Sequence, residues 1–184
     1  MNKLFASVLI GVATLTVATA ATAATRTSES RANYNATVDR ASVNYKIARN
    51  KCDSLSGNGK DVCVAEAKAE EKRAKADAKA HYKHTRKART DALIAAADAD
   101  YAVAKAKCGA KAGNDMKVCV EQAKAAQTKA VAEAKANKKV SDARVEARAD
   151  TREADYKVAA QKCDALSGAA KDRCVSAAKA KFGR

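Results

Sequence analysis

The sequence predicts an all-α protein, an elongated antiparallel helical bundle or coiled coil made of three disulfide-stapled αα-hairpin repeats. The 184-residue chain contains no proline and is rich in Ala, Lys, Glu, Arg and Asp, which is the composition of long helices. A cysteine-containing unit occurs three times. Much of the hydrophobic content is alanine, so large apolar side chains are too sparse to fill a thick globular core.

The N-terminal segment 1–23 predicts a secretory signal peptide. Lys3 supplies a positive charge, Leu4–Val17 is an uncharged apolar run, and small residues offer cleavage sites after Ala20 and after Ala23, the pattern of a cleaved leader. An uncleaved anchor helix is the alternative, but the second half of the run is Ala and Thr, which disfavours stable residence in lipid. We expect an exported chain with no integral membrane span after cleavage.

The remainder of the chain, 24–184, forms the predicted helical repeat domain. Its hairpin units are centred on 45–69, 101–125 and 156–180. In each unit a Tyr precedes the first Cys by seven positions, a Gly follows that Cys by five, and a second Cys follows it by eleven. The step from the first unit to the second is one position longer than the step from the second to the third. A repeat of this regularity predicts one structural unit used three times.

Each unit is expected to turn back on itself. Tyr, Ile or Val, Ala and Cys recur at the spacing of one helical stripe, and Gly57, Gly113 and Gly168 supply the positive φ that ends a helix. Acidic residues follow, where a negative charge suits a helix N-terminus. The two cysteines then lie at similar heights, which predicts the disulfides Cys52–Cys63, Cys108–Cys119 and Cys163–Cys174. Each closes a loop of about eleven residues, worth about 2–3 kcal/mol, and export places the chain in an oxidising compartment.

No Gly or Pro interrupts the chain between the turns. We therefore expect helices over Thr27–Ser56, Lys60–Cys108, Asn114–Ser167 and Ala170–Phe182, the middle two being about 73 Å and about 80 Å long at about 1.5 Å per residue. The first and third disulfides would lie at one end of the rod and the second at the other. The repeat period, about 55 residues, fits either eight heptads or five eleven-residue repeats, so supercoil hand stays open.

Lys and Arg number 36 against 21 Asp and Glu. The predicted hairpin register places Lys75 near Arg40, and it gathers further cations at the middle of the rod, Lys79 near Arg148 and Lys83 near Arg144. Two interpretations stay open: a solvated face with pairs such as Glu71–Lys75, or a site for phosphate- or carboxylate-rich polymers. The candidate polyanion-binding residues are Lys72, Lys75, Lys79, Lys83, Arg86, Arg144, Arg148 and Arg152.

Metal and catalytic sites are not predicted. His81 and His84 are the only histidines, and two ligands among so many cations make a poor metal site. The gap between paired cysteines is unlike the short ligand spacings of zinc sites. The sequence contains no phosphate loop and no nucleophile–base motif, so neither an enzyme nor a cofactor is expected. Tyr45, Tyr101 and Tyr156 are interpreted as packing anchors.

The stretches Ala65–Ala80 and Ala123–Lys139 resemble the Ala/Lys/Glu-rich helical stalk of the TolA family of cell-envelope proteins. The likeness is compositional and covers about a third of the chain, which departs from TolA in its predicted cleaved leader and in lacking a terminal globular domain. It implies a helical rod in a bacterial envelope, periplasmic or secreted.

The expected function is that of a non-enzymatic structural or interaction protein of the cell envelope. The alternative is a protein that binds extracellular DNA or lipopolysaccharide through the basic stripe. The candidate partners are accordingly envelope components or other proteins, an anionic polymer, and a second copy of the chain.

Overall fold

The computed structural model describes residues 20–184, with side chains described from Ser30 onward. The described chain is helical and contains no strand, as predicted. Its helices are α1 Ala20–Lys51, α2 Gly57–Lys83, α3 Arg86–Cys108, α4 Gly113–Cys163 and α5 Gly168–Phe182, and a short 3₁₀ turn, Cys52–Ser54, follows α1.

Most of the predicted signal peptide, 1–19, lies outside the described residues, and its last part begins α1. Of the helices in the described part of the chain, none is long and apolar enough to cross a membrane.

The predicted disulfide pairing is confirmed in all three units. Cys52–Cys63, Cys108–Cys119 and Cys163–Cys174 join residues whose Cα atoms are 5.6, 5.7 and 5.7 Å apart. The first cysteine of each pair is fully buried. Each bridge therefore lies inside its own hairpin and pins the two helices at the turn.

The glycine of each turn adopts the predicted positive φ, 56° at Gly57, 54° at Gly113 and 56° at Gly168. Its position differs from the prediction, because each glycine is the first residue of the second helix and follows a residue in extended conformation. The first helix ends at or next to its cysteine. The extended residues before the glycine carry the chain across to the facing helix, and the glycine redirects it.

The prediction of one helix over Lys60–Cys108 is wrong. The chain reverses after α2 at His84, which takes a left-handed conformation with φ 50°, and at Thr85, which is extended. The Thr85 hydroxyl accepts a hydrogen bond from the Ala88 backbone N–H at 3.0 Å and caps α3. His is among the residues that tolerate this left-handed region, and Thr is a preferred N-cap. The reversal therefore forms without Gly or Pro.

As a result, α2 and α3 run antiparallel and in contact. Asn58 Nδ2 donates to the Ala106 carbonyl at 2.6 Å, and Lys72 Nζ lies 3.1 Å from Asp98 Oδ2. The first two disulfides consequently lie at the same end of the molecule, and the third lies at the opposite end. The predicted placement, with the second disulfide opposite the other two, is wrong for this reason.

The helices form one sinuous layer in which each packs against its sequence neighbours. In the described residues α1 contacts α2, α2 contacts α3, α3 contacts α4 and α4 contacts α5, and helices further apart in sequence do not meet. α4 continues unbroken for 51 residues, about 76 Å, so it extends well past the α2–α3 turn. α5 folds back onto that extension.

Most of the buried residues in the described chain are alanines. α2 has a neighbouring helix on each side. Its buried alanines recur at a spacing of eleven residues, Ala67 and then Ala78, and Ala69 and then Ala80. The eleven-residue spacing, three helical turns, recurs at Ala88 with Ala99 on α3 and in the buried alanines of α4. Of the two periodicities that the sequence left open, the buried residues favour the eleven-residue repeat.

Candidate anion-binding site

The eight predicted basic residues are divided among three helices. Four lie on α2, Arg86 lies in the first turn of α3, and the three arginines lie on α4. The expected approach of Lys79 to Arg148 and of Lys83 to Arg144 is wrong, because α4 packs against α3 and does not meet α2.

The α1–α2 register agrees with the one that placed Lys75 near Arg40. The Tyr34 and Tyr82 rings stack at 5.1 Å, and Arg31 Nε donates to the Tyr82 hydroxyl at 3.3 Å.

Three of the eight residues are engaged in ion pairs. Lys75 Nζ lies 2.6 Å from Glu71 Oε1, which is the within-helix pair expected for a solvated face. Lys72 pairs with Asp98, which also accepts a hydrogen bond from Gln127 of α4 at 2.7 Å. Burial alone would raise the pKa of Asp98, but the bonds from Gln127 and Lys72 outweigh it and hold the pKa below its ordinary value. These contacts tie α2, α3 and α4 together.

The third engaged residue, Arg86, ties the start of α3 to α4. Its Nε donates to Asp142 Oδ1 at 2.6 Å, and Lys138 binds the other carboxylate oxygen. The hydrogen bonds from Lys138 and then Arg86 lower the pKa of Asp142. Asp142 therefore marks the level on α4 where the cover provided by α3 ends.

Beyond Asp142, one stretch of α4 has no helix beside it. Every residue of 143–152 is exposed. Cover resumes at Glu153, which pairs with Arg184 just after α5, and at Tyr156, whose ring meets Phe182 edge-on at 6.3 Å. We call residues 143–152 of α4, between the α2–α3 turn and the end of α5, the notch.

The notch contains the three predicted arginines of α4. Arg152 lies five helical turns after Ala134, which is buried on the side that packs against α3. Arg148 and Arg144 precede Arg152 by one and two turns. Arg152 and Arg148 therefore point to the side of α4 on which α3 and α5 pack, in the gap between those two helices, and Arg144 lies about 80° round the helix from Arg152. All three are exposed, and no ion pair involves them within the described residues.

Further cations line the rim of the notch. The α2–α3 turn, residues 83–89, carries Lys83, Arg86, Lys87 and Arg89 and no acid. Together with Lys138 and Asp142 of α4, most of these residues border a concave surface. Asp142 pairs with Arg86 and Lys138 there, and Lys87 pairs with Asp91. Within the notch itself Glu146 and Asp150 offset part of the charge. The arrangement offers a row of guanidinium groups, each able to bind a phosphate or carboxylate through two hydrogen bonds.

The two histidines do not form a metal site. His81 and His84 both border a shallow pocket beside Tyr34, and His84 also lines the concave surface at the rim of the notch. The described residues hold no group of three or more metal-binding side chains. Tyr45, Tyr101 and Tyr156 are half-buried, as packing anchors would be, and Lys124 Nζ lies 5.3 Å above the Tyr101 ring.

The sequence predicted the arginines but not the notch. The notch exists because α3 begins at the α2–α3 turn and leaves the rest of α4 beyond that level without a neighbouring helix. One signal for that turn was present. The step from Cys52 to Cys108 is one position longer than the step from Cys108 to Cys163. The extra residue falls at the reversal.

Comparison of the chain with protein-family models, with curated proteins and with solved structures found no match.

Proposed function

We propose that the chain is an exported, non-enzymatic structural or interaction protein of a bacterial cell envelope, a helical rod that holds two disulfide-closed ends apart. The three disulfides support export, because such bonds persist in oxidising compartments outside the cytoplasm. The leader-like segment 1–23 points the same way.

The observation that carries the proposal is α4. This one helix of 51 residues has the Cys108–Cys119 bridge at its start and the Cys163–Cys174 bridge at its end. A helix is stiff over this length, so the two hairpin turns stand about 76 Å apart. The geometry suits a spacer that contacts different components at its two ends.

Fractionation of the native host tests this proposal. We expect the chain in the osmotic-shock or envelope fraction, shortened by the leader and lighter by six hydrogens than its reduced form. A photo-crosslinker at Lys111, in the second turn, or at Leu166, in the third, should capture envelope components, whereas one at Lys135, exposed midway along α4, should capture none of them. Recovery of an unprocessed chain with free thiols from the cytoplasm would contradict the proposal.

A second candidate function is binding of an anionic polymer, extracellular DNA or lipopolysaccharide, in the notch. The exposed arginines favour it, because no ion pair with another described residue involves them and their spacing of one helical turn presents charge along a line. Such binding is electrostatic and weakens as salt screens it.

Matched triple variants test this second candidate. Arg144→Glu/Arg148→Glu/Arg152→Glu removes the notch charge, and Lys105→Glu/Lys111→Glu/Lys117→Glu makes the same change in net charge near the second disulfide. On duplex DNA the salt dependence of the notch variant should be shallower. The magnitude of its slope of log affinity against log salt should fall by about 3, since each phosphate contact contributes about 0.9. The control should keep the wild-type slope. Equal losses in both variants would show attraction to net charge alone and would reject the notch as the site.

A further inference from the structure

The side of α4 opposite α3 and α5 is uncovered along the length of the helix and carries a line of alanines and valines, among which Lys129 and Asp150 also stand. At about 100° per residue its members fall within an arc of about 80°, and no described helix lies against them. All of them are exposed: Val118, Ala125, Ala132, Ala136, Ala143, Ala147, Ala154 and Val158.

The repeat shows what packs on such a surface. Counted from the first cysteine of the unit, Ala125, Ala132 and Ala136 occupy the positions that three α2 alanines, Ala69, Ala76 and Ala80, occupy in the unit before. The next three alanines of the stripe match α3 when residues are counted back from the following cysteine. Ala143, Ala147 and Ala154 precede Cys163 by the same distances as Ala88, Ala92 and Ala99 of α3 precede Cys108.

In the α2–α3 hairpin these two sets pack against each other. Ala80, Ala88 and Ala92 form one buried cluster with Ala76 against it, and Ala69 and Ala99 are only 2% and 1% exposed. α4 thus carries both halves of the α2–α3 interface end to end on one straight helix.

The junction between the two halves explains why α4 does not fold back as α2 and α3 do. The α2–α3 junction reads Lys83-His84-Thr85, and the corresponding stretch of α4 reads Lys139-Val140-Ser141, with one residue fewer before the next alanine stripe. Where His84 takes φ 50°, α4 has valine, and a β-branched residue rarely adopts that conformation. The helix therefore runs on, and its two halves cannot meet within one chain.

We propose that a second copy of this chain covers the stripe. Two α4 helices would lie antiparallel about a two-fold axis near Val140–Asp142. The N-terminal half of each would pack on the C-terminal half of the other, as α2 packs on α3. The two-fold axis generates this contact twice, so the interface is twice the size of the α2–α3 contact. Arg148 and Arg152 lie on the other side of α4 and stay exposed in this dimer, whereas Ala143 and Ala147 of the notch belong to the covered stripe.

One ion pair across the α2–α3 contact has a charged counterpart on α4. Arg73 and Asp100 form an ion pair across that contact, and their equivalents on α4 are Lys129 and Asp155. Neither makes an ion pair in the described chain. The antiparallel pairing places Lys129 of one copy opposite Asp155 of the other, a complementary charge pair formed twice.

The side-chain tie at the end of the α2–α3 contact has a counterpart as well. Asn58 donates to the Ala106 carbonyl, and the equivalents of these two residues are Asn114 and Gln161. A different pair, Lys72 with Asp98, has no counterpart, because its equivalents are Thr128 and Glu153 and Glu153 pairs with Arg184.

Sedimentation equilibrium of the oxidised full-length mature chain tests the proposal. We expect a dimer whose dissociation constant rises about tenfold or more in Lys129→Glu and in Asp155→Lys, because each change creates two like-charge contacts. The double variant should return to within about threefold of wild type. Lys135→Glu, the same change on the same helix away from the stripe, should leave the constant unaltered.

Ala132→Glu provides a second variant that keeps the helix, since Glu is a good helix former, and circular dichroism confirms that the chain is folded. We expect it to be monomeric. A wild-type chain that is monomeric at every protein concentration would overturn the proposal. A monomer whose free energy of unfolding is lowered by Lys129→Glu would overturn it too, because that result would show α4 folding back on itself. A dimer that is indifferent to these variants would overturn it as well.

Discussion

Two adjacent residues determine the path of the chain. His84 accepts a left-handed backbone and Thr85 caps the next helix, and together they turn the helix predicted over Lys60–Cys108 into a hairpin. The sequence around them has neither Gly nor Pro and no acid at the third position of α3, so it lacked the usual signals of a helix end. An alanine-rich helix is also compatible with continuing straight. His84 and Thr85 permit the reversal, and the packing of α2 on α3 stabilises it.

Replacing the cap should weaken this turn. Thr85→Ala removes the bond from the Ala88 N–H to the Thr85 hydroxyl, and we expect a loss of about 1 kcal/mol in the free energy of unfolding measured in urea. Thr128→Ala is the matched control, because Thr128 only bonds back to the Lys124 carbonyl within α4 and caps no helix. Equal losses in the two variants would show that the cap does not hold the turn.

Acid should loosen the ties between helices. The pKa values of Asp53 and Asp142 are lowered by their cationic partners, and that of Asp98 stays low against its burial. A carboxylate with a lowered folded pKa stabilises the fold above its unfolded pKa and loses that contribution as pH falls through the folded value. Stability in urea should therefore hold from neutral pH to about pH 4 and decline below it.

The Asp142→Asn variant provides the control for this acid effect. It should be less stable than wild type at neutral pH, and the difference should shrink in strong acid, where the wild-type carboxylate is protonated. A difference that is independent of pH would contradict the assignment of the effect to Asp142.

At the scale of elements, the repeat allowed accurate prediction of the hairpins. Tyr, Gly and two Cys at fixed spacing placed the three turns and their disulfides, and the unbroken pattern after Gly113 predicted α4. The break between α2 and α3 was missed, because its one signal, the longer step from Cys52 to Cys108, does not locate it, and alanine surfaces carry little information about which partner they will meet. The notch arginines were predicted as a stripe, but their setting depends on where α3 starts and α5 ends.

Removing each of the three disulfides should affect local structure to a different extent. α5 packs against α4 alone, whereas α2 lies between α1 and α3. We expect Cys163→Ser/Cys174→Ser to abolish hydrogen-exchange protection over residues 168–182 while leaving α1–α3 protected, because local opening follows contact density. Cys52→Ser/Cys63→Ser should leave α2 measurably protected. If α5 keeps its protection without its bridge, then packing rather than the disulfide holds it.

The whole molecule is a layer of helices joined by neighbour contacts, with alanine in place of a large apolar core. Its stability is then close to a sum over successive hairpins and the contacts between them, as in repeat proteins. Each disulfide adds about 2–3 kcal/mol to the free energy of unfolding by restricting the unfolded chain. That is a large part of the stability of a single layer of helices. The long α4 serves two of these hairpins at once.

The central claim is that each repeat is a separate hairpin closed by its own disulfide. Tryptic digestion of the purified, unreduced chain followed by mass spectrometry tests it most directly. The structure predicts peptide 52–60 joined to 61–68, peptide 108–111 joined to 118–124, and peptide 163–171 joined to 174–179. Any cross-link between cysteines of different repeats, or any of these six thiols free in the exported chain, would contradict it.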